Sequence, residues 1–228
     1  SKKRFLFRSA ASLLNRLSNL NPQTLKPKDF FKLRLLDDDG EYKPGLVLVG
    51  SHVQLANDQL EVLLKEDSCV GIELPVRKIS MIFSHAISDD LIKSLESDWL
   101  MQIVNIIDSR RTPVIYTGRG ELEFETSLER INFGNKLATL MASLVSKIIP
   151  RIGYVISKGG ITTNALLSEG LNFNQVELIG QVLPGLSVVQ AKSSLKGKRF
   201  PIVTFPGNLG DEKTLLNTWL IMEGSKYR

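Results

Sequence analysis

Cysteine, histidine and long apolar runs are the scarce features of this sequence. Cys69 is the only cysteine and His52 and His85 the only histidines, so no internal disulfide can form and a zinc site built from Cys and His lacks its ligands. No apolar run approaches the roughly 18 to 20 residues that span a bilayer, and Ser1, Lys2, Lys3 and Arg4 lead into too few apolar residues for a signal peptide. The reading is a soluble, cytoplasmic protein. Aromatics are 7% of the chain and no GxxxxGK[ST] string occurs, which removes a P-loop. Net charge is +5, yet residues 1–45 hold ten Lys or Arg against five Asp or Glu, while residues 46–228 hold 19 of each. Because the excess belongs to one end, a basic nucleic-acid face with stacking aromatics is not expected.

What is present is an ordinary globular balance, 43% hydrophobic and 23% charged in 228 residues, enough for one large core or two small ones. Residues 4–7 read as a short buried strand and 9–20 as a helix with Leu13, Leu14 and Leu17 in phase. A chain that opens in a strand predicts a segment upstream. Pro22, Pro27 and the Asp37-Asp38-Asp39-Gly40 turn make 21–44 a connector, so residues 1–44 are expected as crossing strand, helix and connector and 45–228 as the domain. From Gly45 onward short β-rich runs (46–49, 69–74, 114–117, 154–157, 176–179, 186–190, 201–205) alternate with helical ones (56–65, 78–83, 88–108, the stripe from Phe133 to Ile148, and 211–222 capped by Asp211). That order predicts an α/β fold, a three-layer αβα arrangement with a mostly parallel sheet. A hairpin turn at Lys196, Gly197 and Lys198 makes the sheet mixed at one edge.

In open α/β sheets ligands gather at the carboxyl ends of strands, and three candidate strands end in Gly- or Ser-bearing turns: Gly50-Ser51-His52, Ser157 through Gly159, Gly160, Ile161, Thr162 and Thr163, and Pro206-Gly207-Asn208-Leu209-Gly210. The Gly159-Gly160 pair lets backbone approach a ligand, and Thr162 and Thr163 add hydroxyls where a helix opens, a combination suited to phosphate. The same residues also make a tight, Thr-capped strand-to-helix turn without any ligand. Gly207 and Gly210 are equally a second phosphate loop or an αL turn. His52 and His85 lack a nucleophile at a diagnostic spacing and read as packing residues before general bases. Glu121, Glu123 and Glu125 alternate as solvated surface, and Cys69 reads as a small buried hydrophobe.

The turns in this order resemble the four-carbon acid sugar kinase family, in its C-terminal nucleotide-binding half. Residues 4–12 look like that family's crossing segment. Val49-Gly50-Ser51 is similar to its Gly-Ser turn, residues 159–163 to its Gly-Gly-acidic-Thr-Ser or Ala motif, Leu183-Pro184-Gly185 to its Pro-Gly loop, and residues 207–210 to its Gly-Asn-Phe-Gly turn. The resemblance implies ATP or ADP, with Mg²⁺, held by Ser51, Gly159, Gly160, Ile161, Thr162, Thr163, Gly207 and Asn208. It implies γ-phosphoryl transfer to a small sugar acid bound by a separate N-terminal domain. It names no catalytic residue, gives nucleic acid and membrane no part, and leaves room for a homodimer. Ile161 stands where the family has an acidic residue, and Phe205 and Pro206 stand where it commonly has Lys and Ser. Those departures support a second reading, a noncatalytic nucleotide-binding or regulatory module that has lost turnover.

Overall fold

Seven short runs rich in Val, Ile and Leu form one sheet: β1 (Gly45–Val49), β2 (Cys69–Leu74), β3 (Thr112–Thr117), β4 (Tyr154–Lys158), β5 (Glu177–Leu183), β6 (Leu186–Lys192) and β7 (Arg199–Phe205). The structure is a computed structural model that describes residues 6, 23, 25–83, 88–118, 122–192 and 199–225. Strand order is β2-β3-β1-β4-β7-β6-β5. The first five of these are parallel, and β6 and β5 continue the sheet antiparallel. All residues of β1 and β4 are buried, which is why their sequences are continuous apolar runs instead of alternating ones.

Helices cover both faces. Leu46, Leu48, Ile72, Ile115 and Val155 pack beneath α2 (Val76–Phe83), α3 (Ser88–Asp108), α4 (Ser127–Ile148) and α5 (Gly160–Ala165). Their strand neighbours Val47, Val49, Val114 and Ile156 pack beneath α1 (Gln54–Leu63), α6 (Thr214–Glu223) and a 3₁₀ turn at Pro27–Leu33. The strand period of two thus splits each run between two cores, giving the three-layer α/β arrangement. α4 begins at a capping box: Thr126 Oγ1 accepts from the Glu129 N–H and Glu129 accepts from the Thr126 N–H.

Several expectations shift in detail. α6 starts at Thr214, later than residue 211, because the Asp211 carboxylate accepts from the Lys213 N–H and the Thr214 hydroxyl in the turn ahead of the helix. The Thr214 hydroxyl holds the Asp211 carboxyl below its ordinary range. β5 reaches Leu183, three residues after Gly180, and closes on β6 through Pro184-Gly185, with Gly185 at φ +84°. Pro followed by a positive-φ Gly is a type II turn. β6 and β7 pair antiparallel. The strand at 4–7 and helix at 9–20 (Leu6 apart), the turn at 196–198, Glu121 and His85 lie outside the described residues.

The edge strand β5 is irregular. Its pairing with β6 shifts register twice, and Leu178 is 65% exposed. At Gln181 the edge is covered by the Gln23 side chain: its amide donates to the Gln181 carbonyl at 3.0 Å and its oxygen accepts the Gln181 N–H at 2.7 Å.

The segment before β1 is fastened at the amino ends of the parallel strands. Phe30 is fully buried. Arg34 pairs with Glu223 at 2.7 Å and donates to the Lys43 carbonyl at 2.9 Å, and the Tyr154 hydroxyl donates to Glu223 at 2.7 Å. Glu223 therefore ties the connector, β4 and α6 together, and its loss strands a buried guanidinium and a buried phenol. Glu223→Ala is expected to lower unfolding stability by about 2–3 kcal/mol, somewhat less than for a wholly buried pair because the carboxylate keeps some solvent contact. Urea denaturation followed by circular dichroism measures this, and an unchanged midpoint would show the tie to be idle.

Candidate functional site

Register brings the three turns together. Val49 of β1 pairs with Lys158 of β4, and Lys158 pairs with Phe205 of β7, so the three strands end flush. The ladder continues into the turns: the Gly50 N–H donates to the Lys158 carbonyl at 3.0 Å and the Gly159 N–H to the Phe205 carbonyl at 2.9 Å. β1 leads to α1 on one face and β4 to α5 on the other, which makes the β1–β4 boundary a topological switch point, where a crevice opens.

Close packing at this boundary depends on missing side chains. A Cβ on Gly207 would lie 2.5 Å from Ser51 Oγ, and one on Gly50 would overlap Thr162 Oγ1. Gly159 has φ +119° and ψ 132°, a region that glycine alone occupies readily. Gly160 differs, since nothing lies within 4 Å of a Cβ built there. The Gly160, Ile161 and Thr162 amides open α5 and so have no acceptor four residues earlier. The amides of Gly207 and Asn208 have no backbone acceptor among the described residues. Thr162 is buried against Gly50, and the Thr163 hydroxyl donates within 3.1 Å of the Ser157 carbonyl and Oγ. Ile161 is 63% exposed and Asn208 is exposed.

Beside the turns lies a pocket of about 550 Å³. Gly50 and His52 after β1, Thr117 at the end of β3, and Ile161 and Thr162 of α5 form one side. Leu122 to Phe124, Arg130, Phe133, Leu137 and Met141 form the other. Phe124 and Phe133 have ring centroids 5.5 Å apart, and His52 Nε2 is 3.1 Å from Thr117 Oγ1. An apolar, aromatic-walled cavity with a few polar groups suits a flat ring system. Sequence reasoning took Phe133, Leu137 and Met141 as a core stripe. The stripe is real, and the residues of its amino-terminal end belong to the core and line the pocket as well. The Thr126-to-Glu129 capping box was the signal that would have located that end. Glu123 and Glu125 are exposed, while Leu122 and Phe124, which alternate with them, are half-buried and line the pocket.

Lys158 is the residue that sequence reasoning passed over. It is fully buried, with Nζ 3.2 Å from the Gly207 carbonyl, 3.3 Å from the Pro206 carbonyl and 4.0 Å from the Phe205 ring centroid. Burial lowers its pKa to about 8. A lysine interrupting a buried strand run just ahead of Gly159-Gly160 was the available clue. Cys69 is buried as expected, and burial pushes its thiol up to about 12.

A family model described as a nucleotide-binding C-terminal domain matches residues 46–215. Among solved structures, a Bordetella bronchiseptica protein described as a domain of unknown function (DUF1537), a domain-swapped dimer with bound citrate, is similar over 82% of this chain and 42% of its own. It is 15% identical with a TM-score of 0.59. A Haemophilus influenzae protein of the DUF1537 family is similar over 79% of this chain and 42% of its own, 18% identical with a TM-score of 0.57. At such identity these likenesses establish the fold, and the chain spans 42% of the length of both structures. None of the curated proteins compared with the chain matches it.

The two adjacent glycines should respond oppositely to a methyl group. Gly159→Ala is expected to cost about 1–3 kcal/mol of stability through backbone strain. Gly160→Ala should be neutral or stabilising by up to about 1 kcal/mol. Thermal and urea unfolding of the two variants checks the pair, and equal effects would contradict the backbone geometry described for Gly159.

Proposed function

Because the chain belongs to the nucleotide-binding C-terminal domains of the four-carbon acid sugar kinase (DUF1537) family, we propose that it binds ATP or ADP at the β1–β4 switch point, as the nucleotide half of a sugar-acid kinase. In this reading residues 45–228 are the nucleotide domain and 1–44 lead into it. The observation that carries the assignment is the open space at Gly160, flanked by amides without backbone partners on two flush turns. Phosphate oxygens would take those amides, with Ser51, Thr162 and Asn208 as side-chain donors and Thr163 holding the turn to β4. The base would enter the aromatic-walled pocket between Ile161 and Phe124.

Mg²⁺ accompanies phosphoryl transfer generally, but this chain offers it little. Ile161 supplies no carboxylate, Asp211 is engaged with Thr214 and Lys213, and no cluster of three metal-binding side chains occurs among the described residues. The residues do not fit a protein-built magnesium site, so no step is assigned through one. No helix among the described residues is long and apolar enough to cross a membrane. The citrate bound by the Bordetella relative is a small polycarboxylic acid, in keeping with a small acid as the family's other ligand. The exposed Ile161, in place of an acidic residue, favours the second reading of a noncatalytic nucleotide module.

Calorimetric titration with ATP and ADP, with and without Mg²⁺, should show saturable binding. Gly160→Val should remove it with the fold intact, because a branched side chain fills the space meant for phosphate. Parent-like binding by that variant would move the phosphates elsewhere. ADP release with four-carbon sugar acids separates the two readings: a protein joining this chain to a substrate-binding domain should turn over if the kinase reading holds. This chain alone should not, for want of a positioned acceptor, a deficit of roughly 7–11 kcal/mol in the barrier.

A further inference from the structure

A buried cation with no counter-charge lies under the two glycine turns. The Lys158 side chain is wholly excluded from solvent, and its acceptors are two neutral carbonyls at 3.2 and 3.3 Å and the face of the Phe205 ring. Both oxygen distances are at or beyond the long end of the hydrogen-bond range. No carboxylate pairs with it among the described residues. An unpaired buried charge is costly, and an apolar residue in the same place would complete the Val49, Phe205 and Val203 packing without that cost. Lys158 directly precedes Gly159, and its ammonium contacts Gly207, so it adjoins both turns whose amides lack a backbone acceptor among the described residues.

We propose that Lys158 is the intrinsic counter-charge of the nucleotide phosphates, a phosphate-binding residue whose positive charge is balanced only when a polyphosphate lies across the Gly159-Gly160 and Gly207 turns. The proposal rests on the nucleotide reading above and assigns the phosphate-recognising charge within it. It also accounts for Phe205, whose ring gives the ammonium a partner that does not neutralise it. The competing role is a structural tie that holds the Pro206-Gly207 turn through its carbonyls.

The two roles separate by ligand. Adenosine reports on the pocket itself. Because the Pro206-Gly207 turn lies with the phosphates, a tie would weaken phosphate-bearing ligands alike at every pH, whereas a counter-charge makes the loss grow from AMP to ADP and makes parent affinity follow the protonation of Lys158. Adenosine, AMP and ADP are titrated into the parent and into Lys158→Met, whose fold is checked by circular dichroism. Expected is adenosine affinity within about twofold of the parent and ADP affinity lowered tenfold or more, with AMP between, as loss of a charge-assisted contact predicts. The parent supplies an independent arm. Protonated Lys158 is the binding form, so ADP affinity should be full below about pH 8 and fall above it, while adenosine affinity stays level. The adjoining turns carry His52, 3.1 Å from Thr117 Oγ1, and Asp211, bonded to Thr214 and Lys213, with Glu212 and Lys213 beside it. None of these is a cause of the Lys158 shift, which burial sets. ADP binding by Lys158→Met within about twofold of the parent, equal weakening of adenosine and ADP, or a level pH profile for ADP would overturn the proposal while leaving the nucleotide reading in place. Failure of the parent to bind ADP at millimolar concentration would remove both.

Discussion

The flush alignment of Val49, Lys158 and Phe205 across three neighbouring parallel strands is the constraint on which the site depends. A slip of one residue between any two strands would exchange their faces, sending Lys158 toward α4 and α5 and Ser157 toward α6. It would also break the Gly50-to-Lys158 and Gly159-to-Phe205 bonds that carry the ladder into the turns. Register here is fixed from both sides, because β1 and β4 are buried on both faces and neither can shift without moving apolar residues out of two cores at once.

The turns are braced from further away as well. Gln59, fully buried on α1, donates to the Leu209 and Asp211 carbonyls at 3.1 and 2.6 Å, and Gly185 of the β5–β6 turn packs against Leu209. The Pro184-Gly185 loop, noticed in the sequence only through resemblance, thus stands at the same end of the sheet as the other three turns. It supports the Gly207 loop from the antiparallel side.

The fold was legible wherever one local signal dominated. The helix expected at 88–108 is reproduced to the residue, the strands near 46–49 and 154–157 follow from short apolar runs, and that at 69–74 from a β-rich run interrupted at Gly71 and Glu73. Boundaries moved where polar capping competed with periodicity, as at Asp211, or where a glycine interrupted a strand, as at Gly180. The turns themselves were legible because glycine at a strand end is a backbone signal. The pocket was not, because the stretch holding Thr117, Phe124 and Arg130 is far in sequence from the Gly50 and Gly160 turns that it meets, and a stripe on α4 says nothing about which of its residues also line the pocket. Lys158 was hidden for a related reason: a lysine in a strand ordinarily reads as an edge or an exit, and only the neighbouring strand shows that it is enclosed.

The Gln23 side chain on β5 has a consequence of another kind. Its amide meets the Gln181 carbonyl and N–H as a peptide group of an eighth strand would. An open sheet invites a second copy to add at its edge, and a single side chain occupies the place where such an addition would begin. With the two register shifts on either side of it, this leaves the antiparallel margin a poor template for chain-to-chain growth. Among the described residues β5 is the last strand of the sheet, and part of its outer edge is already partnered by a side chain.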